Sequence, residues 1–108
     1  MPAPSGVTVA QANAVESAKS YLAMSSFSRA GLIEQLSSTA GDGFSQADAT
    51  YAVDHVTVDW NQEAVAAAKS YLGLSGFSRA GLIEQLSSAS GDRFTLAQAQ
   101  YAAGQVGL

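Results

Sequence analysis

Residues 18–22, Ala-Lys-Ser-Tyr-Leu, return as residues 68–72, and the twelve residues from Phe27 to Ser38 return unchanged from Phe77 to Ser88. Gly41-Asp42 with Phe44 returns as Gly91-Asp92 with Phe94, and Tyr51-Ala52 as Tyr101-Ala102. The offset is 50 residues throughout, with no insertion. A chain of this kind is one small unit built twice, and whatever folds residues 8–56 must also fold residues 57–108. Residues 1–7, which contain both prolines, lie outside the repeat and read as a flexible leader.

A unit of this length buries only a modest core, and the chain has no cysteine to staple it. Much of the 47% apolar content is alanine, so Phe27, Phe44, Phe77, Phe94, Trp60, the tyrosines and the leucines must supply most of the buried area. The punctuation predicts three helices per copy. Thr8 with Gln11 forms a capping-box pattern for a first helix reaching Met24, and Asp59 with Gln62 opens its counterpart. Ala14, Ala18, Tyr21 and Leu22 recur at helical spacing along the expected inner face. Phe27 and Leu32 flank a cap at Ser28 as a hydrophobic staple for the second helix, whose apolar face is Leu32, Ile33 and Leu36. Gly41 is placed to end that helix in the left-handed conformation. Ser45 caps the third helix and Thr95, with Gln98, caps its equivalent; Ala49, Ala52, Val53 and Val56 mark its inner side. The β-branched run Val56-Thr57-Val58 before Asp59 marks a short break between copies. Trp60, which replaces Ala10 of the first copy, is expected to pack the repeats together. The expected fold is all-α: two tandem three-helix units, helix-turn-helix-like.

These residues carry a resemblance. Ala18–Leu22, the run Phe27-Ser28-Arg29 followed by Gly31-Leu32-Ile33 and Gln35-Leu36, then Gly41-Asp42 with Phe44-Ser45, Tyr51-Ala52-Val53-Asp54 and Asp59-Trp60-Asn61 resemble the Ltp-like host cell surface-exposed lipoprotein family. The resemblance covers both repeats and nearly all of the chain after Gly6. It implies a bacterial or phage-encoded protein held at the outer face of the cell by an N-terminal lipidated cysteine behind an export signal. No such cysteine occurs in this chain, so membrane attachment is expected only through an anchor absent from it. The resemblance further implies superinfection exclusion, in which the injection of DNA by a second phage is blocked by engaging its tape measure protein.

Other chemistries are weighed against the residues themselves. His55 is the only histidine, and its equivalent is Gln105, so a duplicated active site lacks its base and no catalytic constellation forms around it. Gly41-Asp42-Gly43 lacks the alternating ligands of a calcium loop, and Arg93 replaces Gly43 in the second copy. Three helices could read DNA, but residues 45–56 carry Asp48 and Asp54 with no lysine or arginine, and residues 95–106 carry no charge. No metal, cofactor, nucleic acid or small-molecule substrate is expected. The expectation is a non-enzymatic protein-binding module, with a generic cell-surface or cell-wall interaction module as the alternative, a DNA-binding protein behind it and an enzyme last.

Arg29 and Arg79 stand in the first turn of their helices, where the dipole disfavours a cation. Asp42 and Asp92 are the expected ion-pair partners, with Glu34 and Glu84 second. Gly31 and Gly81 are expected to allow a close helix approach. Residues 1–56 carry a balance of −3 and residues 57–108 of −1. Glu34, Asp48, Asp54 and Glu84 are the candidate contacts for a basic partner segment.

Overall fold

The computed structural model describes residues 6–108. Six helices follow in order: α1 (Val9–Met24), α2 (Arg29–Ser37), α3 (Gln46–His55), α4 (Trp60–Leu74), α5 (Arg79–Ser87) and α6 (Leu96–Gln105). No strand occurs among the described residues. The chain divides into two compact units: one joins Gly31–Thr57 to the chain ending at Ser25, the other joins Ser26–Ala30 to Val58–Leu108. The leader expected over residues 1–7 falls, for residues 1–5, outside the described residues.

The helix starts follow from side-chain acceptors placed over orphan backbone donors. Thr8 Oγ1 accepts the Gln11 N–H at 3.0 Å while Gln11 Oε1 accepts the Thr8 N–H at 2.9 Å, a closed capping box. Thr95 and Gln98 repeat it at 3.1 and 3.0 Å. At Asp59 the geometry differs from the expected box: one carboxylate oxygen accepts the N–H groups of both Asn61 and Gln62. Ser45 and Ser78 cap α3 and α5 through the N–H groups of Asp48 and Gly81.

In the first unit α1 packs along α3. Ala14 and Ala18 are fully buried on one helix, Ala49 and Ala52 on the other, and such small residues let two backbones approach closely. Leu32 and Leu36 of α2 are also fully buried, each worth about 1.5–3 kcal/mol of transfer energy. The second unit repeats this with α4 along α6 and α5 against both. Its core gathers Ala64, Val65, Ala68, Leu82, Leu86, Phe94, Ala99 and Ala102, with Tyr71, Leu72, Phe77, Ile83 and Val106 against it. Within this unit the Phe27 N–H donates to Glu63 Oε1 at 3.0 Å, and the Ser28 hydroxyl donates to the Asp92 carbonyl. Ser28 is 2% exposed.

The turn after α2 departs from the sequence reading. Gly41 is not the left-handed residue; positive φ falls at Gly43 (70°) and at its equivalent Arg93 (61°). Gly41 is required for a different reason. A Cβ there would lie 2.1 Å from the Gln35 carbonyl oxygen, and at Gly91 it would lie 2.2 Å from that of Gln85. The chain folds back so tightly that the N–H groups of Asp42 and Phe44 reach the carbonyls of Gln35 and Leu36. Those carbonyls at the end of α2 are thereby satisfied without water. Gly81 is also corrected: a Cβ there would meet Ser78 Oγ at 3.1 Å and the Phe77 ring, both part of its own helix cap and not another helix.

Candidate functional site

In both units the first helix sends a tyrosine across to the turn that follows the second helix. Tyr21 Oη donates to Asp42 Oδ1 at 2.7 Å and accepts from Gln35 Nε2 at 3.3 Å. Tyr71, Asp92 and Gln85 repeat the arrangement at 2.7 and 3.3 Å. This brace takes up the two aspartates expected first as ion-pair partners of Arg29 and Arg79. Asp42 and Asp92 take a neutral phenol as partner, not Arg29 or Arg79. Arg79 makes no ion pair with any described residue. The physical reason is reach: a rigid ring standing on α1 or α4 already fills the space over the turn, and it binds the carboxylate without a second desolvated charge.

Electrostatics separates the two copies. The Tyr21 hydroxyl is held above its usual range by its hydrogen bond to Asp42. For Tyr71 burial is the larger cause, with the bond to Asp92 second. Burial also raises the Asp92 carboxyl, against the opposing effect of the Tyr71 hydroxyl.

Beside the first brace lies an open groove of about 420 Å³ lined by Glu16, Ser17, Ser20, Tyr21, Met24 and Asp42. Glu16, Ser20 and Met24 follow one another at four-residue spacing and so form a single stripe on α1. Met24 is 74% exposed. Glu16 meets Lys19 at 3.4 Å with both side chains largely in solvent, a contact of small energetic weight.

Of the acids singled out from sequence, Asp42 lines this groove, and the four expected to contact a partner, Glu34, Asp48, Asp54 and Glu84, do not. Glu34 on α2 and Glu84 on α5 are exposed at equivalent places, Asp54 is exposed near the end of α3, and Asp48 is half-buried in its first turn. Trp60 opens α4 and is half-buried. Sequence reasoning passed over Glu16, Ser20 and Met24. The available signal was divergence: Glu16 becomes Ala66 and Met24 becomes Leu74 on either side of the unchanged run Ala18–Leu22.

His55 is exposed on α3, stacked on Tyr51 at 3.9 Å between ring centroids, with Nδ1 2.7 Å from the Tyr51 carbonyl. Among the described residues, no three histidine, aspartate or glutamate side chains gather as metal ligands. No described helix is long and apolar enough to cross a membrane. Neither α3 nor α6 carries a lysine or arginine for a phosphate backbone: α6 holds no charged residue, and α3 holds Asp48, Asp54 and His55.

With the geometry in place, comparison adds identity. The family model described as host cell surface-exposed lipoprotein matches residues 10–56 and again residues 59–106. No curated protein matches the chain. Among solved structures, the chain is similar to Ltp, a superinfection exclusion protein from the Streptococcus thermophilus temperate phage TP-J34, at 34% identity and a TM-score of 0.80. The match covers 91% of this chain and 96% of that one.

Proposed function

The chain belongs to the host cell surface-exposed lipoprotein family, and on that premise we propose that it acts at the bacterial cell surface in superinfection exclusion. It works by stoichiometric capture of an incoming phage protein, with the tape measure protein as the specific partner, and without turnover. The observation that carries this reading is the likeness to a superinfection exclusion protein over 91% of the chain, both repeats included. The acidic balance of the chain, −4 overall, supports a basic partner segment, which such a surface would attract and orient. Glu34, Asp48, Asp54 and Glu84 contribute to that attraction. The test is surface display of the chain in a phage-sensitive host. Adsorption should be unchanged while DNA injection by a second phage falls. Undiminished injection across a broad phage panel would remove the reading.

A further inference from the structure

The two repeats share a brace but not its surroundings. At the four charged or variable positions around it, the first copy holds Glu16, Lys19, Asp42 and Gly43, a balance of −1. The second holds Ala66, Lys69, Asp92 and Arg93, a balance of +1. The same framework therefore presents opposite signs in the two units. In the first, Glu16 and Asp42 form an acidic rim on an open groove with the exposed thioether of Met24 at its far end; in the second, Ala66 and Leu74 stand at the places of Glu16 and Met24.

We infer that the groove along α1 is a one-sided docking site for a short basic and apolar segment of the partner protein, and that the second repeat excludes the same segment. The inference rests on the proposed function and assigns it a place. Glu16 to Met24 spans two helical turns, about 12 Å, room for a short peptide stretch. A lysine or arginine of that segment would sit between the Glu16 and Asp42 carboxylates, where Asp42 keeps a second oxygen beyond the one held by Tyr21. Ser20, whose hydroxyl donates to the Glu16 carbonyl, keeps acceptor capacity toward the groove. An apolar side chain would cover Met24, a residue whose unbranched thioether adapts to irregular contacts. In the second copy Ala66 removes one of the two carboxylates and Arg93, where the first copy has Gly43, adds a cation that would repel the same group.

The repeat supplies its own control, because each copy already carries the residues needed to convert the other. The probe is a fluorescein-labelled amphipathic peptide of leucine and lysine, with a version carrying glutamate for lysine as its counterpart. The intact chain should bind one lysine peptide, more weakly at high salt, and should ignore the glutamate version. Amide shifts should cluster at Glu16, Ser20, Tyr21 and Met24. The Glu16→Ala, Gly43→Arg double variant should lose at least about tenfold in affinity, one charge-assisted contact being replaced by a repulsion. The reciprocal Ala66→Glu, Arg93→Gly variant should raise the stoichiometry to two. Unchanged affinity in the first variant, or shifts centred on the second unit, would overturn the inference. Displayed on cells, the first variant should lose exclusion. If it keeps exclusion, the docking site is wrong and the function stands; if the unaltered chain fails to exclude, the function itself falls.

Discussion

Phe44 and Phe94 hold the same place in the two units, ahead of α3 and α6, yet Phe94 is 3% exposed while Phe44 is only half-buried. Val65 and Ala67 are buried in the second unit, whereas their counterparts Val15 and Ser17 are only half-buried. The second copy is thus the better filled, and the first carries the open groove. The docking proposed above would use this difference, with one copy more tightly packed and the other keeping exposed surface for a partner.

The strongest challenge to that division is truncation of the two phenylalanines. Phe94→Ala should cost about 3–5 kcal/mol in denaturant unfolding, the range for emptying a packed aromatic site. Phe44→Ala should cost about 1–2 kcal/mol, because much less area leaves water there. Equal losses would erase the contrast. The turn glycines sharpen it from the other side, since here the units should behave alike. Gly41→Ala and Gly91→Ala each drive a methyl group into a backbone carbonyl, for a similar loss of about 1–3 kcal/mol in each unit.

The smallest effect is titration. Tyr21 and Tyr71 are both raised above the ordinary 10.0. In each case the folded state keeps a proton that the unfolded chain has released. The stability this contributes is complete below pH 10.0 and drains away as pH rises through the folded value. Asp92 follows the same sign in acid. Its raised value means that its contribution is full below the ordinary 3.8 and declines as pH rises through the folded value. Phenolate absorbance should show two late-ionising groups. Tyr71→Phe should remove the one governed by burial, and Tyr21→Phe the one governed by the carboxylate.

Most of the fold was legible because it rests on local rules. Thr8, Thr95 and Gln98 announce helix starts within three residues of themselves, and the alanine and leucine spacing marks the buried faces. The candidate site was legible only in part. Asp42 was singled out as a partner for Arg29; it is held instead by Tyr21, which lies 21 residues away and which only the packing of α1 over the turn brings to it. Charge complementarity pointed to Arg29, and sterics decided for the ring. Gly41 was likewise recognised as special, though for torsion and not for the carbonyl that crowds it.

Gly41 and Gly43 sit two residues apart and have met different fates. Gly41 recurs as glycine because any side chain would strike the main chain. Gly43 has nothing within 4 Å, and its positive φ recurs at Arg93 with an arginine in place. Torsional preference is a tax that a sequence can absorb at one position, whereas steric collision is a veto. Drift after duplication was therefore free to recolour the rim of this turn while its hinge of contact stayed fixed, and specificity could change without disturbing the architecture beneath it.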